Sequence, residues 1–334
     1  MSKPLSADRR NMILSGNLIQ AILMLAIPVM INSFIQSMYN LTDTFWLGRI
    51  GTESQAAITL VSPIQNILIN FGTGLTTAGA ILISQYLGAK EDRQANSMAN
   101  HVCLCSLLFS LVCAAVCWCI TPGIVGWLGA EGNIFLYGIS YLRIVVLDLP
   151  FLFMINIYTA VKQSQGDTVR PMLLNVLGVS INLILDPLFL MKFGWGISGA
   201  ALATLLAKIP SAVLALYVLT RKGQLIQINF KGFRFEKTKM LSILKIGLPT
   251  AIGGSTMQLG FLLMSRNVYV YGTGAMAAYG IGNKVNGLIT LPSNGIGSAV
   301  ATIVGQNIGA NQIDRAEKGY KIARRVSVIF LFVG

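Results

Sequence analysis

Apolar blocks the length of a bilayer-spanning helix recur through this chain with short polar breaks between them, and no other feature constrains its folding as strongly. A helix rises about 1.5 Å per residue, so roughly 20 residues cross about 30 Å of hydrocarbon. In that solvent every backbone N–H and C=O must find a partner inside the chain, which leaves helices or a closed barrel. Barrel strands are about half as long as these blocks. The pattern predicts spans near residues 18–46, 55–82, 97–120, 134–160, 170–190, 197–219, 242–264 and 276–303. A ninth begins near Val326 and is cut off at Gly334. With 54% hydrophobic and only 11% charged residues, a soluble domain of this size is excluded. The expected fold is all-α, a polytopic membrane helix bundle.

A net charge of +13 would point to nucleic acid in a soluble chain, but here the placement of the basic residues matters more than their sum. With the N-terminus in the cytoplasm, the inner segments collect Lys3, Arg9, Arg10, Lys90, Arg93, Lys162, Arg170, Arg221, Lys222 and the basic residues of 231–239 and 315–325. The outer loops hold Arg49, Lys192 and Arg266. That asymmetry follows the positive-inside rule. The expected partner is the lipid bilayer of the plasma membrane, not nucleic acid. The first apolar block is too long for a signal-peptide h-region and is expected to remain as a span.

The chain also repeats itself. An offset of 221 residues carries Pro28 onto Pro249, Gly51 onto Gly272, Gly74 onto Gly295, Gln85 onto Gln306 and Gly88 onto Gly309, without a gap. Six spans separate the copies, so both enter the membrane in the same direction. Parallel repeats of this kind build transporters from two lobes that rock about a central cavity. The expectation is two six-helix lobes as parallel repeats, the second incomplete. Residues 1–220 form the N-lobe, 221–240 a cytoplasmic linker, and 241–334 a partial C-lobe of two helices and the start of a third. The chain is read as C-terminally truncated.

Two aspartates stand out, because a carboxylate inside a span is costly and marks function by default. Asp43 lies five residues inside Gly48 and Asp186 six inside Lys192, roughly 7–9 Å from the outer boundary at helical rise. Asn182 lies one turn before Asp186, on the same face. Pro187 cannot donate to the carbonyl of Leu183 and leaves that oxygen free. Carboxylate, amide and bare carbonyl are hard ligands suited to a proton or Na⁺. Pro28 frees the carbonyl of Met24 in the same way and marks a bend point in the first span. Thr204 follows the small-residue run GISGAALAT, which lets helices approach closely and offers a hydroxyl. Asp148 is expected to pair with Arg143, five residues earlier on the same span. Lys208 and Lys284 are intramembrane cations, and Lys284 is a candidate counter-ion facing Asp43 across the lobe gap.

Other chemistries find no support. His101 lies at the cytoplasmic edge, and the spans lack a nucleophile, base and orienter set, so no enzyme is expected. Cys103, Cys105, Cys113, Cys117 and Cys119 share one apolar block and are read as packing residues. No metal beyond a possible sodium ion and no cofactor is implied.

A first-span proline, then LTDTFWLGRIG, QYLGAK, NLILDPLF and GISGAALAT resemble the multidrug and toxic compound extrusion (MATE) transporters, in particular their DinF-like branch. The resemblance runs from about residue 15 to the end. It implies a monomeric, two-lobed exporter of twelve helices that exchanges a proton or Na⁺ for small lipophilic, often cationic, drugs. Carried over by motif, Asp43 is the first-helix carboxylate, Asp186 and Asn182 its fifth-helix partners, and Thr204 the sixth-helix hydroxyl. Pro28 matches the proline whose bending accompanies protonation. The other branch places acids in its seventh and eighth helices, where this chain has none and carries Lys284. Alternatives are a lipid-linked oligosaccharide flippase of the same superfamily, which needs several basic residues facing the cavity, and a non-transporting membrane binding subunit.

Overall fold

The computed structural model describes residues 4–48, 52–269 and 273–333, and within them the side chains of some positions, Lys284 among them, are outside the described set. The helices are α1 (Pro4–Ser15), α2 (Leu18–Gly48), α3 (Thr52–Gly88), α4 (Asp92–Trp127), α5 (Gly132–Ser164), α6 (Val169–Pro187), α7 (Gly196–Thr220), α8 (Lys237–Tyr269), α9 (Thr273–Gly309) and α10 (Ile313–Val333). A single π turn, Leu188–Lys192, extends α6 past Pro187. No strand occurs among the described residues. From α2 to α7, six helices are long and apolar enough to cross a membrane, so the chain is a multi-pass membrane protein built as a helix bundle.

The repeat is written into the turns. Helices α3 and α9 begin and end at positions one repeat apart, as do the starts of α4 and α10. The turn after each is closed by a residue in the left-handed region, Lys90 at φ 63° and its equivalent Asn311 at φ 58°. Past Lys90 the N–H of Glu91 reaches back to the carbonyl of Tyr86 at 2.9 Å, and past Asn311 that of Gln312 reaches Asn307 at 2.8 Å. This is the helix-ending motif that consumes orphan carbonyls, made twice with non-glycine residues.

The same symmetry governs packing between the copies. Gly74 of α3 lies so close to α8 that a side chain there would stand 2.9 Å from the Ala251 nitrogen. Gly295 of α9 meets α2 equivalently, 3.0 Å from the Ala26 carbonyl and 3.3 Å from the Met30 nitrogen. Each glycine is seated against the turn that holds the other copy's proline, Pro249 for Gly74 and Pro28 for Gly295. Toward the basic end, Ser84 and Gly305, themselves repeat equivalents, face each other, so the pseudo-two-fold axis passes between them.

Two features differ from the sequence reading. The helix α1 precedes the first span and was not anticipated, because its twelve residues carry no apolar face of spanning length. Tertiary anchors hold it instead. Ile13 is 1% exposed, Arg9 pairs with Asp167 at 3.0 Å, and Arg315 of α10 donates to the carbonyls of Ile13 and Gly16. Arg10 also reaches the Gly88 carbonyl at 3.4 Å, so α1 spans the seam between the copies at the basic end. The last helix, in turn, starts at Ile313, ahead of the apolar stretch expected to open a span near Val326, and Ala316 and Ala323 bury a small-residue face there.

Between α7 and α8 the chain is not free. Two asparagines one turn apart on α4 read its backbone, as Asn96 accepts from Gln227 N–H at 2.7 Å and donates to Leu225, and Asn100 brackets Asn229 through both its groups. His101 Nδ1 lies 2.8 Å from the Ser97 carbonyl and Nε2 accepts from Glu236 N–H at 2.8 Å, which requires the neutral ring protonated at Nδ1. Lys239, buried at 5% exposure, donates to Gln94, Ser97 and Glu236 at 2.7 Å each. The hydrogen bond from this ammonium holds the Glu236 carboxyl below the usual carboxylate range.

Candidate functional site

The polar interior of the first six-helix unit is assembled by four helices. Asp43 and Tyr39 lie one turn apart on α2 and share a face. Asn182 and Asp186 do the same at the end of α6 and are 3% and 1% exposed. Thr204 comes from α7, whose run of buried Ala200, Ala201, Ala203 and Ala207 permits its close approach to its neighbours. Tyr141 enters from α5.

Asn182 is the centre of this cluster. In the amide orientation that satisfies both ends, its nitrogen donates to Asp186 Oδ2 at 2.7 Å and to the Tyr39 hydroxyl at 3.3 Å, while its oxygen accepts from the Thr204 N–H at 3.1 Å. Thr204 Oγ1 also donates to the Ala200 carbonyl at 3.2 Å. Three helices are thereby tied through one amide. The carboxyls of Asp43 and Asp186 lie within electrostatic reach of each other, and Tyr39 and Tyr141 both feel the two of them.

The arrangement limits what can bind. Asn182 satisfies one oxygen of Asp186 and supplies no charge, so two like charges share a low-dielectric interior and resist joint ionisation. One proton or one small hard cation between them relieves that repulsion, with Tyr and Thr hydroxyls as further oxygen ligands. Among the described residues no group of three or more His, Cys, Asp or Glu could hold a metal ion. The remaining ligands would have to be hydroxyls and amide oxygens.

The structure brings together Asp43, Asn182, Asp186 and Thr204, and adds Tyr39 and Tyr141, which the sequence reading missed. The i,i+4 spacing of Tyr39 to Asp43 was a signal for the first. Nothing local pointed to Tyr141. Pro28 sits inside the continuous helix α2, on the turn whose Ala26 and Met30 pack against Gly295. The side chain of Lys284 lies outside the described residues. The expected Arg143–Asp148 pair does not form: Asp148 pairs with Lys208 of α7, and Arg143 lies over the Trp118 ring, 5.5 Å from its centroid. Five residues along a helix place two side chains on different faces, which is why the partner comes from another helix. The five cysteines are free thiols.

The chain is 27% identical over 304 residues to the probable multidrug resistance protein YoeA of Bacillus subtilis, covering 89% of this chain and 66% of that protein. It is 25% identical over 316 residues to the multidrug export protein MepA of Staphylococcus haemolyticus, covering 94% and 70%. It therefore spans about two thirds of the length of these relatives. Among solved structures, a MATE protein in complex with MaL6 superposes with a TM-score of 0.92 at 26% identity, over 96% of this chain and 71% of that one. The outward-facing conformation of a multidrug resistance MATE family transporter of the MOP superfamily superposes with a TM-score of 0.91 at 26% identity, over 95% and 71%. The family model MatE matches residues 28–188 and 249–333, the two halves that the internal repeat relates. With the fold, the repeat and this match in agreement, the chain belongs to the MatE family of multidrug and toxic compound extrusion proteins.

Proposed function

We propose that this chain works in a cation-coupled antiporter that exports small lipophilic, often cationic, compounds by alternating access of its two lobes. The observation that carries the reading is that Asp43 lies within electrostatic reach of Asp186, whose carboxylate accepts from the Asn182 amide, within one lobe. Two carboxyls that resist joint ionisation are a site that must load and release a cation, and loading alters the charge of the lobe that moves. Names of the relatives, a multidrug resistance protein and a multidrug export protein, support the substrate class. Asp43, Asn182, Asp186 and Thr204 are the proton or Na⁺ ligands in this scheme, with Tyr39 and Tyr141 beside them. Pro28 is the hinge, on the turn of α2 whose Ala26 and Met30 pack against Gly295, so that bending α2 shifts α9. The N-lobe is residues 1–220, the linker 221–240 and the C-lobe begins at 241; the N-terminus faces the cytoplasm and the chain acts as a monomer in the plasma membrane. The flippase reading needs several cations turned to the cavity, whereas among the described side chains Arg143 is held over Trp118, which leaves Lys208, itself paired with Asp148, rather than several.

Efflux of ethidium, a lipophilic cation, from cells expressing the chain tests this. Asp43→Asn and Asp186→Asn are expected to reduce efflux to background. Undiminished efflux in both variants would sink the coupling role, and no efflux from any form would favour a non-transporting subunit. A pH series with and without Na⁺ separates the two coupling ions.

A further inference from the structure

One charged pair inside the first lobe lies apart from the cluster around Asn182. Asp148 of α5 and Lys208 of α7 form an ion pair in which the partners are unequally placed. The Asp148 side chain is 4% exposed and the Lys208 side chain 24%. The second oxygen of Asp148 is buried and has no hydrogen-bond partner among the described residues, and among them Lys208 is the cation that neutralises the carboxylate.

The exposure of Lys208 is not toward lipid. It lies on the stripe of α7 that carries Ala201, Thr204, Ser211 and Ala215, of which Ala201, Ser211 and Ala215 are buried. Ser211 on that stripe donates to the Leu174 carbonyl of α6. The outward stripe is instead Leu206, Val213, Leu214 and Tyr217, all exposed. The ammonium therefore opens into the interior of the bundle, one turn along α7 from Thr204.

Which partner is open decides what can bind. A carboxylate with no reachable oxygen cannot take a cation from the cavity; it can only hold the ammonium in place. An ammonium has three donors, and among the described residues Asp148 is its one hydrogen-bonded acceptor. The pair thus presents unspent donors and calls for an acceptor. We propose that Lys208, held from behind by Asp148, is an anion-accepting subsite that selects lipophilic substrates bearing a carboxylate or similar acidic group. It lies about 6 Å, one helical turn, from Thr204, so a substrate would meet acids and an ammonium along one wall. This subsite rests on the exporter reading above, and nothing in the Asp43–Asp186 cluster requires it.

Binding to the purified chain in lipid nanodiscs, read by fluorescence anisotropy, tests it with a xanthene dye that carries a free carboxylate and with the methyl ester of the same dye. The acid is expected to bind about tenfold more tightly than the ester, the size of one charge-assisted hydrogen bond. Lys208→Met should abolish that preference and Lys208→Arg should keep it. Because Lys208→Met leaves Asp148 buried without a partner, the double variant Lys208→Met/Asp148→Asn supplies a neutral pair, and it should also bind the two dyes alike. An acid preference that survives in the double variant, or equal binding of both dyes by the unsubstituted chain, overturns the subsite and leaves the exporter reading standing. Failure of the unsubstituted chain to bind either dye overturns the exporter reading, and the subsite with it.

Discussion

Gly88 of α3 packs directly on the Gln306 carbonyl of α9, and the repeat inverts the contact, with Gly309 packed on the Gln85 carbonyl. The two copies therefore close on each other at the basic end through one self-complementary contact made twice. Backbone meets backbone there, and no side chain can yield.

Gly88→Ala and Gly309→Ala should each cost about 1–3 kcal/mol, the usual penalty for forcing atoms into a packed interface. Thermal unfolding in detergent checks this. Because the contacts are reciprocal, the two losses should be similar; a loss confined to one would contradict the two-fold arrangement.

Asn182→Ala removes a 2.7 Å hydrogen bond to a buried carboxylate and should weaken the binding of the coupling cation by about tenfold, whereas Tyr39→Phe should weaken it only about threefold. Titration of intrinsic fluorescence against the cation measures both. The opposite ranking would mean that the tyrosine, rather than the amide, organises the cluster.

The strap α1 depends on Arg315, which donates to the Gly16 carbonyl at 2.5 Å and to Ile13 at 3.1 Å. Arg315→Ala should raise amide hydrogen exchange across residues 9–15 by about tenfold, the equivalent of roughly 1.4 kcal/mol. Unchanged protection would show that Ile13 burial with the Arg9–Asp167 and Arg10–Gly88 contacts holds the helix without Arg315.

Acid should loosen the segment before α8. Since the bond from Lys239 holds the Glu236 carboxyl below its ordinary range, that contribution is complete above the ordinary glutamate value and is lost as pH falls through and below it. Cleavage by an acid-active protease after Phe230, Phe233 or Phe235 should accelerate over that window. Glu236→Gln should flatten the response, and a response that survives this substitution would assign it elsewhere.

Much of the architecture was legible along the chain because the bilayer simplifies the code. Apolar length decides the helices, proline and glycine spacing at one offset reveals the repeat, and an aspartate in an apolar block announces a site. Helix α1 was illegible because it is held by Arg315 and Asp167, which lie far away in sequence. Asp148 was assigned to the nearest cation along its own span, since sequence supplies neighbours only in one dimension.

By itself, then, the sequence determined the six spans of α2–α7 and the parallel repeat through local hydropathy and periodicity, and it singled out Asp43, Asn182 and Asp186 by their place in apolar blocks and Thr204 by the small-residue run before it. Tertiary structure alone decided that the Asn182 amide links Asp186 to Tyr39 and Thr204, that Tyr141 joins them, and that Lys208 rather than Arg143 neutralises Asp148. The physical reason is that hydrogen bonds and ion pairs inside a bundle form between faces of different helices. Which faces meet is set by close approach at residues such as Gly74, Gly88 and Ala201, not by distance along the chain.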